Sequence, residues 1–226
     1  GEAACWDMHG FNRLGGNSLA ETVVAGGIIG AKIVEFLKGY ETTFNTAVIN
    51  AECRRQQGRI DNLISGRLGR ENVYKVRAEM QEALMQGCFV FRNEKDLTEC
   101  VAVLQGLLER SERIGLLSKG LGANHEVAAA LKIRGQVRLA LCIAQAALVR
   151  RESRGSHNRE DYPARDDKNW LNRTLAYWPE GRNLPELKYE HATPHFEIPP
   201  GERGYGGGKI IHADPQEIEA KTIKRT

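Results

Sequence analysis

Residues 71–110 read ENVYKVRAEMQEALMQGCFVFRNEKDLTECVAVLQGLLER. Val73, Val76, Met80, Ala83 and Leu84 recur at three- and four-residue steps, and Leu97, Val101, Leu104, Leu107 and Leu108 do the same. A helix turns once in about 3.6 residues, so each set falls on one helical face. Upstream, Phe44, Val48, Ile60, Leu63 and Ile64 predict one long helix, with Gly58 as a weak point and Gly66 and Gly69 ending it. Downstream, Ile114 extends the apolar set, and glycines at 115, 120 and 122 close it. A further helix is expected from about His125 to Arg151, with Val127, Leu131, Val137, Leu141, Ile143 and Leu148 on its apolar side. Short connections make neighbouring helices antiparallel, so the expected fold is mainly α, a helical bundle.

Both flanks depart from this pattern. Ser18 and Glu21 stand three apart ahead of an apolar run, the spacing of a capping box, so a helix is expected from Asn17 or Ser18 to near Gly39. Gly26, Gly27 and Gly30 within it weaken a helix, which predicts a close backbone approach there. After Ser153, residues 154–167 are almost wholly polar. Strands are expected near 170–178 and 186–191, followed by a tail rich in Pro and Gly that cannot form its own core. The expected division is 1–40, 41–153 and 154–226.

The totals exclude several classes. A chain of 226 residues holds one or two domains, and 41% apolar residues can build a core. A net charge of +3 on 27% charged residues is a mixed surface rather than a nucleic-acid footprint. Cys5, Cys53, Cys88, Cys100 and Cys142 are odd in number and contain no C-x-x-C pair. Reduced, buried thiols are expected, with no disulfide framework and no zinc or iron–sulfur site. The longest apolar run, near 19–37, is broken by Glu21, Lys32 and Glu35, so no membrane span or signal peptide is expected.

The chemistry-bearing segment is residues 12–19, Asn-Arg-Leu-Gly-Gly-Asn-Ser-Leu. It is a glycine-bearing loop that feeds a helix N-terminus and carries one fixed cation, Arg13. A planar guanidinium grips a carboxylate through two parallel hydrogen bonds. Gly15 and Gly16 let backbone approach a ligand closely, or simply form a tight turn. Ser18 and Leu19 open the helix, where free N–H groups and the positive dipole end favour an anionic partner, although plain capping accounts for them equally. Glu2 precedes Arg13 by eleven residues and could accept hydrogen bonds from a diol. His9, four residues before Arg13, is read as a structural histidine that fixes the loop.

Together with residues 1–20, this segment resembles the flavin-contacting part of the succinate dehydrogenase/fumarate reductase flavoprotein subunits. Residues 154–171, Arg-Gly-Ser-His-Asn-Arg-Glu-Asp-Tyr-Pro-Ala-Arg-Asp-Asp-Lys-Asn-Trp-Leu, resemble that family's C-terminal signature. Residues 6–11 and 169–178 are most similar to the flavoprotein of dihaem-type quinol:fumarate reductases. The resemblance implies that Arg13 binds a substrate carboxylate and acts in catalysis, that Gly16 lies near substrate, and that Glu2, Ser18 and Leu19 contact FAD. It makes 1–40 a piece of the FAD-binding domain, 41–153 a helical domain and 154–226 a tail. The charged run 154–167 is then expected to dock that tail on the flavin domain through ion pairs.

The implied activity is interconversion of fumarate and succinate by hydride transfer, with electrons relayed through an iron–sulfur subunit from a membrane anchor. The implied location is cytoplasmic, peripheral on the inner membrane, with no direct membrane insertion. The only glycine-rich fingerprint, at 204–208, lacks the strand and helix that a dinucleotide site needs. The main FAD-binding residues are therefore expected upstream, and the chain alone is expected to be inactive. Aspartate oxidase and adenylylsulfate reductase are related alternatives within the wider flavoprotein family. A different class of reading is a helical interaction module that docks the iron–sulfur subunit or an assembly factor. The physiological direction, the quinone and the linkage of FAD are not specified by these residues.

Overall fold

In a computed structural model the described residues are 9, 13, 15–40, 44–66, 69–120 and 122–191, with the backbone of 210–211. Glu2, Cys5 and the glycine-rich segment 204–208 lie outside them. The chain divides into two compact units, Gly1–Gln56 and Gln57–Thr226.

The first unit contains α1 (Asn17–Leu37) and the start of α2 (Thr46–Ile64). Helix α1 begins where the sequence predicts, but not with the predicted cap. Gly16 is the N-cap, at φ 84°, and its carbonyl accepts the amides of Leu19 at 3.2 Å and Ala20 at 3.1 Å. A side chain would strain that left-handed conformation, so glycine is required at 16. Ser18 lies inside the helix instead, its carbonyl accepting the Thr22 hydroxyl at 2.7 Å, and the capping box does not form. The close approach expected at Gly26, Gly27 and Gly30 is not found among the described residues, which bring nothing within 4 Å of a β-carbon at any of them. No α1 residue is buried; Leu19, Val23, Ile28, Ile33 and Phe36 are all exposed.

The second unit is built on three mutually packed helices, α3 (Val73–Gly87), α4 (Glu94–Arg110) and α5 (His125–Val149). Each begins at an asparagine. Asn72 accepts the amides of Tyr74 and Lys75, Asn93 that of Asp96, and Asn124 those of Glu126 and Val127. An Asn side chain satisfies amides that the first helical turn leaves without partners. The predicted apolar faces of α3 and α4 form the core, through Val73, Val76 and Met80 on one and Leu97, Val101, Leu104, Leu107 and Leu108 on the other. Helix α5 agrees with its prediction in part: Val137 and Leu141 are buried, and Leu131 and Leu148 pack against the core. Its buried stripe is Ala129, Ala130, Ile133, Val137, Ala140, Leu141, Ala144 and Ala147, while Ile143 is exposed. Small residues form the contact line, and the bulkier Ile143 is turned outward. Gly87 marks the tightest helix contact: a β-carbon there would sit 2.5 Å from the Asp96 carbonyl and 2.6 Å from the Cys100 β-carbon.

Six short strands complete the element set among the described residues. β1 (Phe91–Arg92) pairs in parallel with β2 (Asn158–Arg159). β3 (Arg165–Asp166), which leads into the short helix α6 (Asp167–Trp170), pairs in parallel with β6 (Ile210–Ile211). The two predicted strands exist as the antiparallel pair β4 (Asn172–Tyr177) and β5 (Glu186–His191), with Asn172 opposite His191. Cys88 and Cys100 are buried as expected, whereas Cys142 is half-buried and Cys53 is exposed. Burial pushes the Cys100 thiol up to about 11. Among the described residues no helix is long and apolar enough to cross a membrane.

Candidate functional site

Arg13 is exposed and stands three residues ahead of the Gly16 turn that opens α1. The amides of Asn17 and Ser18 precede the first intrahelical hydrogen bonds, which run from Leu19 and Ala20 to Gly16. The α1 N-terminus therefore carries outward-facing donors and positive dipole potential. Among the described residues nothing lies within 4 Å of a β-carbon at Gly15 or Gly16. Leu19 is exposed and Ser18 half-buried, six and five residues beyond Arg13. The structure thus gathers four predicted positions, Arg13, Gly16, Ser18 and Leu19, at the mouth of α1; Glu2 lies outside the described residues.

His9 joins this group. Its Nε2 lies 3.2 Å from Glu21 Oε2, with side-chain exposures of 7% and 10%. The pair links the start of the loop to α1, as expected of a histidine that fixes it. Glu21 is thereby engaged by His9 rather than by a capping box. His9, Asn17, Ala20, Glu21 and Val24 line an open hollow of about 330 Å³ on one face of α1.

An anion with a planar edge suits this arrangement. A guanidinium in the loop and N–H donors at the helix start can receive a carboxylate and the electron-rich edge of a polar cofactor. The first turn of α1 carries no acidic residue and no side-chain cap, so among the described residues its N–H donors suit the electron-rich edge of an isoalloxazine.

The second motif, 154–167, forms the expected ion pairs, and most of its charges are turned inward. Glu152 is fully buried; its carboxylate accepts Arg150 Nη1 at 2.6 Å, Arg154 Nε at 2.9 Å and the Asp166 amide at 2.8 Å. Asp167 accepts Arg154 at 2.6 Å and Arg165 at 3.0 Å. Arg150 continues to the Trp170 and Asn172 carbonyls, which fastens the end of α5 to β4. Arg159, also fully buried, donates to the carbonyls of Ala147, Leu148 and Arg150, where α5 leaves its last acceptors without helical partners. Its other edge grips Asp161 through two 2.7 Å bonds, and this cation holds the Asp161 carboxyl below its usual range. His157 sits between the Arg150 carbonyl and Arg92; burial pushes its pKa down to about 4. Sequence reasoning missed Glu152, the hub of this network. The alternation Arg150-Arg151-Glu152-Ser153-Arg154 was the available signal, but it does not say which charge turns inward.

Comparison with known proteins identifies related chains. Residues 77–205 match the family described as Fumarate reductase flavoprotein C-term. The chain is 44% identical over 228 residues to the fumarate reductase flavoprotein subunit of Helicobacter pylori, covering 99% of this chain and 32% of that protein. An Escherichia coli quinol fumarate reductase structure, a mutant of its FrdA chain, superposes with a TM-score of 0.77 at 32% identity, over 89% of this chain and 34% of that one. A quinol–fumarate reductase with menaquinol molecules gives 0.75 at 32% identity, over 85% of this chain and 33% of the other. The chain therefore spans about a third of the length of the curated relatives it matches.

Proposed function

We propose, because this chain belongs to the fumarate reductase flavoprotein family, that it forms the C-terminal part of the FAD-containing subunit that interconverts fumarate and succinate. The observation that carries the reading is the exposed Arg13 in front of the glycine-opened N-terminus of α1. Arg13 clamps one substrate carboxylate and withdraws charge from it as the alkene accepts a hydride. Gly16 leaves room for the substrate beside the backbone. The Ser18 and Leu19 end of α1 faces the flavin edge on which negative charge gathers, and Glu2 holds a hydroxyl pair of the same cofactor. FAD, when bound, supplies the hydride. The other FAD-binding and substrate residues belong to the remainder of the subunit.

Within this reading, 1–40 serves the FAD-binding domain, 41–153 is the helical domain and 154–226 the tail. The partners are an iron–sulfur subunit that relays electrons and, through it, a membrane anchor. The assembled complex is peripheral on the cytoplasmic side of the inner membrane. Support comes from the family match, which runs through the helical unit, and from the two sequence signatures, which lie at either end of it. Arg13→Lys in the full-length subunit tests the central assignment. An ammonium cannot reproduce the planar fork, so fumarate turnover should fall about a hundredfold or more with flavin content unchanged. Wild-type turnover would refute the role of Arg13.

A further inference from the structure

An exposed arginine on a loop with two adjacent glycines is a poor clamp unless the loop is held, since a misplacement of about 1 Å costs on the order of a hundredfold in rate. Downstream, Arg13 is anchored by Gly16, whose carbonyl starts α1. Upstream, four residues away, the loop is anchored by His9 on Glu21, a contact of 3.2 Å between two side chains that are about nine-tenths buried. Glu21 lies one turn into α1, on the face shared by Asn17, Ala20 and Val24. The loop is thus tied at both ends to the same helix, with Arg13 between the ties. We propose that the His9–Glu21 pair is a positioning device for Arg13: it fixes the clamp against α1 and so sets affinity for the dicarboxylate. This inference rests on the assignment of Arg13 as the substrate clamp.

The pair touches neither substrate nor flavin in this reading, so its loss should act on substrate binding more than on chemistry. In the full-length FAD-bearing subunit, Glu21→Ala should raise KM for fumarate about tenfold, with kcat lowered less than about threefold and flavin content at the wild-type level. Glu21→Gln keeps an oxygen opposite the His9 N–H and should bring KM back to within about twofold of wild type. His9→Phe keeps the volume, removes the donor and should repeat the Glu21→Ala result.

Wild-type KM in both Glu21→Ala and His9→Phe overturns the proposal. So does a Glu21→Gln enzyme that is as impaired as Glu21→Ala while retaining its flavin. If Glu21→Ala fails to assemble with flavin, the His9→Phe and Glu21→Gln enzymes decide by the same criteria. Arg13→Lys, measured alongside, separates the two assignments. Unchanged KM and turnover in Arg13→Lys would remove the clamp itself, whereas an impaired Arg13→Lys with wild-type His9 and Glu21 variants would remove only the positioning device.

Discussion

Glu152 shows what a single buried charge does in this chain. Its carboxylate has no exposed surface and receives two arginines and one backbone amide. Breaking a buried ion network strands the remaining charges, at a cost of about 3–5 kcal/mol. Glu152→Gln should therefore lower the denaturation midpoint of the chain sharply, and a midpoint within error of wild type would show the network to be incidental. His157 makes stability depend on pH. Burial among Arg92, Arg150 and Arg159 holds its folded pKa near 4, against about 6.5 for a free histidine. The unfolded chain therefore binds more protons between these values, and stability falls as pH drops from about 6.5 to 4, by on the order of 3 kcal/mol in total. The Asp161 carboxylate, held low by Arg159, adds to the loss in the same direction as it is protonated. Denaturation midpoints at pH 7 and pH 5 should differ less in His157→Phe than in wild type; an equal difference would reject His157 as a source. These two roles were not legible in the sequence. A polar run reads as a solvated face, because spacing along a chain without regular structure does not say which charge turns inward.

At the scale of elements, the period of the apolar residues was enough for α3 and α4, whose predicted faces are the observed core. For α5 it was right at Val137 and Leu141, which are buried, and wrong at Ile143. Alanine carries a weak hydrophobic signal, yet five of the eight apolar residues buried on α5 are alanines, and the stronger signal of Ile143 belongs to an exposed position. Ala144→Leu should destabilise the unit by about 1–3 kcal/mol through overpacking. Ile143→Ala should stay within about 0.5 kcal/mol of wild type, because an exposed side chain has little packing to lose. Equal effects at the two positions would mean that the α5 face is assigned wrongly. The helix starts were also readable in principle: Asn72, Asn93 and Asn124 each precede an apolar set. The start of α1 was placed correctly for the wrong reason. Glu21 has the capping-box spacing, but its carboxylate is taken by His9, and Gly16 ends the loop in a conformation that only the local geometry reveals.

At the scale of the whole molecule, the division of labour is the central claim. The chain covers 32% of the Helicobacter pylori relative and brings the proposed clamp and a helix N-terminus, but its one glycine-rich fingerprint lies in the tail at 204–208. The 226-residue chain by itself should therefore emerge from gel filtration without flavin and should not support fumarate-dependent oxidation of a reduced dye. Retained flavin absorbance would contradict this. The proposed site could be read from the sequence because it is local: Arg13, Gly16, Ser18 and Leu19 lie within seven consecutive residues, and a short segment keeps its chemistry visible in sequence. The measurement that bears most directly on the central claim is a fumarate titration of the oxidised flavin spectrum in the full-length subunit, wild type against Arg13→Lys. The account predicts equal flavin content, a saturable spectral change in wild type and a dissociation constant raised about a hundredfold or more in Arg13→Lys. Equal dissociation constants in the two proteins would contradict it.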